Sequence, residues 1–320
     1  MHPGGREMLE RRRSFALAAA VCVVALLGSG CASLRGLYLG QVTLTSGTYR
    51  IGPFNLAPMG QPGSEDQSVR GGVPRPPGNI GIKAMRFDLV DASGNPVPRM
   101  DAHLHHVLLM NSAHQSPICA NEEERFAGSG SERTPLSLYG SYAYITRSTD
   151  RWDALWHIMN MSDMAQTVYI QYSVDYVPMT DPAAARPVTP FFMDVTGCGT
   201  NAEFNVPGNG GANSVYTRTR NITAPWAGVA VAAGGHLHDG GIDISIKRAS
   251  TGEVGCTSVA HYDVPEPMDF PSSISGCMLD HLVNAGETYT LTVRYDNSQP
   301  HTAVMGIMLA YVWHGVPPAG

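Results

Sequence analysis

Charge is scarce in this chain: only 15% of its 320 residues are Asp, Glu, Lys or Arg, and the formal net charge is −6. There is no basic stripe, which excludes the electrostatic footprint of a nucleic-acid binder. The apolar run Phe15 to Leu27 covers 13 residues, too few for a comfortable membrane span. No long amphipathic helix can be read from the pattern. A G-x-S-x-G elbow and a paired-carboxylate motif are missing, and PGNGGANS (207–214) lacks the strand-to-helix setting that a phosphate cradle needs. These absences leave little room for the common hydrolase and nucleotide-binding classes. Gly (35 residues), Pro (23 residues) and a 43% hydrophobic content are plentiful, as in a folded, turn-rich protein.

The N-terminus reads as a targeting segment. Arg11, Arg12 and Arg13 precede the apolar run, and LLGSGCAS follows it. A cysteine after small residues resembles a bacterial lipobox, with Leu27 at minus four and Gly28 at minus three from Cys31. The expectation is a signal peptide over 1–31 with a lipid on Cys31, placing an exported protein at the bacterial cell envelope through a membrane anchor. A plain cleaved signal or an uncleaved anchor is the alternative. RRSFAL (12–17) fits twin-arginine as well as general export. Beyond Cys31 lie Cys119, Cys198, Cys256 and Cys277, and four cysteines in an exported chain suggest two disulfides. A local Cys256–Cys277 bridge would leave Cys119 for Cys198, but spacing does not fix connectivity and two other pairings stay open.

Residues 56–79 are loop-like, within an N-terminal extension and loop over 32–80. Strand patterns then dominate: GIKAMRFDLVD (81–91), HLHHVLLMN (103–111), ALWHIMNM (154–161) and TVYIQYSVDYV (167–177). The Pro-rich stretch 179–190 reads as a linker. After it come VYTRTRNITA (215–224), GVAVAAGGHLHD (228–239), GIDISIKRA (241–249), TYTLTVRYDN (288–297) and TAVMGIMLAYVWH (302–314). Short strands separated by Gly, Pro, Asn and Asp turns predict an all-β protein. Two tandem antiparallel β-sandwiches are expected, over 81–180 and 191–320, joined at 181–190.

The chain has twelve histidines. His103, His105 and His106 lie in DAHLHHVLLM, His157 in ALWHIMN, and His236 and His238 in GGHLHDGG; His301 and Met305 lie in QPHTAVMGIM. In a strand, residues two apart share a face, so His236 and His238 can aim at one point. Adjacent His105 and His106 point to opposite faces and can ligate together only at a bulge or strand end. Otherwise His103 with His105 is the easier pair. A lone histidine or methionine in a strand is more often packing than ligand. Imidazole suits copper, zinc, iron and nickel, and a thioether favours copper.

The order HH, H, HxH, M resembles the copper type II, ascorbate-dependent monooxygenases, the group of peptidylglycine α-hydroxylating and dopamine β-monooxygenases. The chain is most similar to the plant stress-up-regulated nodulin family and its bacterial relatives. FDLVDASGNPVP (87–98), LHHVLLMN (104–111), FFMDVTGCG (191–199), GGHLHDGG (234–241) and YDNSQPHTAVMGIM (295–308) carry the resemblance, across roughly 80–315. It implies two coppers, one per sandwich, facing across a solvent-filled cleft. His105, His106 and His157 would hold an electron-transfer copper. His236, His238 and Met305 would hold the catalytic copper that activates O2, and ascorbate or another reductant would reload both. His103 and His301 are possible additional ligands.

In the monooxygenases a basic residue precedes H-x-H; here Gly234 and Gly235 stand there. GIMLAY after Met305 lacks the polar and aromatic contacts of the peptide-acting enzymes. The resemblance therefore carries fold and ligands, and leaves the small-molecule or peptide substrate open. The expected function is an exported, copper-binding, monooxygenase-like oxidoreductase; the alternative is a non-catalytic copper-binding or stress-related lipoprotein.

Overall fold

Period-two alternation builds the strands. In β8 (Trp152–Asn160), Trp152, Ala154, Trp156 and Ile158 are buried on one face, while Leu155 and His157 occupy the other. β9 (Gln166–Pro178) buries Val168, Ile170, Tyr172 and Val174 in the same rhythm. Each fully buried Val or Ile contributes about 1.5–3 kcal/mol. β13 (Gly228–Leu237) instead is buried along nearly its whole length on both faces. Its Ala and Gly residues suit a strand with structure packed on either side.

The computed structural model describes residues 43–199, 201–263 and 269–315. The expected signal peptide and Cys31 lie outside the described residues. Among these residues are nineteen strands and one 3-10 turn, Pro182–Ala184. The largest sheet runs β1 (Thr45–Leu56), β9, β3 (Ile80–Val90), β7 (Tyr142–Thr146), β10 (Arg186–Asp194), β19 (His301–Trp313), β13 and β17 (Gly276–Val283). β6 (Leu136–Ser137) and β11 (Glu203–Val206) pair at its sides, making ten strands. A four-stranded sheet runs β2 (Glu65–Gly71), β8, β4 (Ala102–Gln115) and β5 (Glu123–Gly130). A five-stranded sheet runs β12 (Val215–Thr223), β18 (Thr288–Asp296), β14 (Gly241–Arg248), β15 (Val254–His261) and β16 (Ser273–Ile274).

Two cores result. One joins Ile82, Leu89 and Ile170 of the large sheet to Leu104, Leu109 and Ile158 of the four-stranded sheet. The other joins Leu237 and Met308 of the large sheet to Ile244, Leu291 and Val293 of the five-stranded sheet. The protein is thus all-β and built as two sandwiches, and the two share one sheet. The junction is a parallel pairing of β7 with β10, Arg186 opposite Tyr142 and Val188 opposite Tyr144.

Three segments differ from their sequence reading. Residues 186–190, expected as linker, are the first half of β10; the prolines fit because Pro187 and Pro190 stand in a strand bordered by a short parallel partner. β2 lies inside the expected loop 56–79. It is a polar edge strand with almost every residue exposed, so no apolar alternation marks it. β1 falls in the expected N-terminal extension yet pairs with β9 across ten residue positions and buries Ile51, Phe54 and Leu56.

Candidate metal centre

The first histidine set depends on a broken register. β4 pairs with β8 as His103 opposite Met159 and Leu104 opposite Ile158, and then resumes at His106 opposite His157. His105 is the extra residue, a bulge. This irregularity lets neighbouring imidazoles turn to one side: His105 Nδ1 lies 3.0 Å from His106 Nδ1. The His157 ring lies 4.5 Å from that of His105 and 5.8 Å from that of His106, centroid to centroid. His157 Nε2 donates to the Glu65 carboxylate at 3.1 Å, and its Nδ1 is buried with no hydrogen-bond partner.

The second set depends on an intact one. His236 and His238 share a face at the end of β13, and their Nε2 atoms are 3.2 Å apart. His238 Nδ1 donates to the Ala303 carbonyl at 3.0 Å. Ala303 reaches it from φ +54, a backbone region uncommon for a residue with a side chain. His236 Nδ1 is 3.2 Å from both oxygens of Glu132. With both Nδ1 protons given away, the two Nε2 atoms face each other as lone pairs. That arrangement is unfavourable by itself and suits a shared cation.

Two residues make room for this geometry. A Cβ on Gly130 would lie 2.5 Å from His236 Cε1 and 2.7 Å from a Glu132 oxygen, so only glycine fits. Tyr295 ties the ligand-bearing strands together: its hydroxyl accepts from the His238 amide at 3.0 Å and donates to the Met305 carbonyl at 2.5 Å. In register, His236 faces Ile307, so Met305, two residues away, lies diagonally across on the same face.

The two sets meet. The His105 and His238 rings are 4.3 Å apart, and His106 and His236 are 6.5 Å apart. Ligand nitrogens of His105, His106 and His157 fall within 4.8 Å of one another, as do those of His106, His236 and His238. His106 belongs to both groups. Among the described residues the two sets therefore do not face each other across a solvent-filled cleft as expected: a continuous sheet ties the sandwiches together and the imidazoles are in contact. Phe270 covers the cluster on one side, its ring 4.4 Å from His103, 5.2 Å from His105 and 5.4 Å from His238.

Burial and mutual repulsion keep His103, His105, His106 and His238 neutral. Desolvation, then the surrounding charges, pushes His103 and His106 down to about 3, and lowers His105 and His238 as well. Burial would raise the fully enclosed Glu132 carboxyl, but His236 and the amide of Gly130 outweigh it, and the net shift is downward. A carboxylate held on a ligating imidazole orients the ring and raises its basicity. Neutral, oriented imidazoles and an unpartnered buried Nδ1 form a donor set suited to copper, zinc, nickel or iron, and the thioether of Met305 weights it toward copper.

His103 and His301 stand beside this cluster, outside both groups. His103 is buried against Phe270 with Nε2 unpartnered. His301 donates from Nδ1 to Asp239 at 2.7 Å, its own Nε2 is unpartnered, and it packs over Gly240, where a Cβ would collide with the ring. The disulfides are Cys119–Cys198 and Cys256–Cys277. Such bridges fit an extracytoplasmic protein. Glu132, Gly130, Glu65 and Phe270 lie in unremarkable sequence contexts, and only contact in space marks them; Tyr295 opens a motif that carries the resemblance, but its role shows only in its contacts.

A cavity of about 870 Å³ opens from the cluster, with His106, His236, Glu132 and Met305 on its wall. An all-β fold with a buried, metal-suited histidine cluster beside a large cavity defines a class, and sequence comparison agrees with it. Residues 157–314 match the family described as Stress up-regulated Nod 19. The chain is also similar to proteins named as oxygenases. It is 27% identical over 239 residues to probable copper-dependent oxygenase M1 of Phoma sp., covering 67% of this chain and 58% of M1. It is 26% identical over 234 residues to probable copper-dependent oxygenase clz3 of Cochliobolus lunatus, covering 67% of this chain and 73% of clz3. The chain thus spans less than two thirds of the length of M1. Among solved structures, a peptide-N(4)-(N-acetyl-β-D-glucosaminyl) asparagine amidase aligns with a TM-score of 0.45 at 9% identity, covering 86% of this chain and 98% of that one.

Proposed function

We propose that this protein is an exported copper-dependent, monooxygenase-like oxidoreductase that uses O2 and a reductant. The observation that carries the reading is the facing pair of Nε2 atoms in His236 and His238, each with its Nδ1 proton anchored elsewhere. Copper is favoured by Met305 on the same face and by the names of the similar fungal proteins. His105, His106 and His157 would hold one ion, and His236, His238 and Met305 would hold the other. Bound copper supplies one-electron redox chemistry and O2 activation.

The chain's own residues supply the rest. Glu132 holds the His236 Nδ1 proton and keeps Nε2 as the donor atom. Phe270 excludes water from one side of the cluster. The cavity admits substrate from the other, where His106, His236 and Met305 are exposed to it. Ascorbate or a similar small reductant would serve as the electron donor. In the same reading, Cys31 carries the lipid that holds the protein at the cell envelope.

Oxygen uptake by the copper-loaded protein with ascorbate tests this. The expected result is uptake in the wild type and its loss in Met305→Ile. Unchanged uptake in that variant would remove Met305 from the site. Copper binding without any uptake would favour the non-catalytic copper-binding lipoprotein, a reading supported by Gly234 and Gly235 where the monooxygenases carry a basic residue.

A further inference from the structure

We infer that the cavity takes an uncharged, elongated apolar molecule, lying along the strands with one end at His106, His236 and Met305. This names a substrate class for the site proposed above and rests on that reading only for the chemistry at that end. The argument begins with alternation. Each strand that carries a ligand continues away from it as an apolar stripe on the same face. On β4, His106 is followed by Leu108 and Met110; on β19, Met305 is followed by Ile307, Leu309 and Tyr311. On β8, Leu155 stands two before His157. All of these stripe residues line the cavity. The six residue steps from Met305 to Tyr311 span about 20 Å.

Neighbouring strands make space. β13, paired beside β19, contributes Ala232 and Gly234 next to His236, and β5, paired beside β4, contributes Gly128. Small side chains beside long apolar ones leave the volume open, and about 870 Å³ lies in the range of ligand pockets. At its edge, Val69 and Met278 are 65% and 73% exposed, apolar surface that a monomer's own core does not cover.

Charge selects against anions. Glu122, Glu123, Asp194 and Glu203 line the cavity, and Arg125 is the cation among them. Arg125 is already engaged: it lies 2.8 Å from Glu122, donates to the Gly199 carbonyl at 3.0 Å and sits over the Phe192 ring. Glu132 is held by His236. A carboxylate or phosphate entering here would meet acidic groups and lose its hydration without a partner.

The test is fluorescence titration with N-phenyl-1-naphthylamine, an uncharged apolar probe, with copper content measured on the same samples. Saturable binding is expected, with 1-decanol displacing the probe about tenfold more effectively than decanoate. Leu155→Trp, which fills the stripe, and Met278→Glu, at an exposed position that leaves the core untouched, should each weaken the probe about fivefold or more with copper content unchanged. No saturable binding, equal displacement by decanoate, or wild-type binding in both variants would overturn the inference. Probe binding that responds to both variants in a protein holding no copper would support the cavity assignment and refute the copper reading. Copper without probe binding would refute this inference alone.

Discussion

The two histidine sets arrive at one place by opposite local means. At the end of β13, beyond its own irregularity between Ala230 and Ala232, the register is unbroken, and His236 and His238, the latter one residue past the strand, share a face because they are two apart. On β4 the strand breaks its period, and His105 and His106 share a side because a bulge intervenes. A regular strand makes ligand pairs only at even spacing; adjacent ligands require an irregularity that the partner strand must accept. The first set therefore tolerates local change, and the second is bound to the register of the whole sheet.

The largest effect should come from deletions that exchange the two solutions. Removing Leu237 would make His236 and His238 adjacent in a strand paired on both sides, and would also remove a fully buried core side chain. The loss should reach about 2–5 kcal/mol with collapse of the second ligand set. Removing His105 should restore an even register in β4 and cost less stability, while still disabling the first set. Thermal melts and copper retention check the pair; equal melting temperatures would break the comparison.

Gly130→Ala comes next. Its Cβ would press on His236, on Glu132 and on the His105 carbonyl, so it disturbs both sets at once. About 1–3 kcal/mol of destabilisation is expected, with weaker copper binding in a chelator competition. Glu132→Gln keeps the shape and removes the charge behind His236. Copper affinity should fall about tenfold, at the low end for an outer hydrogen-bond partner, with little change in melting temperature. An unchanged affinity would mean that Glu132 is packing only.

The smallest effect belongs to the far end of β4. His105 and His106 are lowered by burial, whereas His114 is raised, first by its hydrogen bond to Glu124 and further by the charges of Glu124 and Asp150. A raised histidine stabilises the fold fully below its ordinary value of 6.5, and that contribution is lost as pH rises through its folded pKa. Because the His114 side chain is 37% exposed, screening leaves only about 0.5 kcal/mol. His114→Gln should therefore lower stability slightly at pH 5.5, match the wild type at pH 9 and leave copper binding intact, as read from melts at the two pH values.

The same contrast explains what was legible in the sequence. β8, β9 and β18 alternate between core and surface, and their segments can be read directly. H-x-H on β13 is legible for the same reason. The bulge at His105 is not, since two adjacent histidines specify no backbone irregularity by themselves. β2 is hidden because an exposed edge strand needs no apolar face. The β7–β10 junction is hidden because a three-residue parallel pairing between strands forty residues apart leaves no pattern in either. Glu132 is two residues beyond the end of β5 and becomes part of the site only when Gly130 lets His236 approach.

The most direct test of the central claim is the copper content of the exported protein after exhaustive dialysis, measured for the wild type and for the double variant His236→Ala, His238→Ala. Two coppers per wild-type chain, with at least one lost in a folded variant, is the predicted result. A wild type that holds no copper, or a variant that holds as much as the wild type, would contradict it.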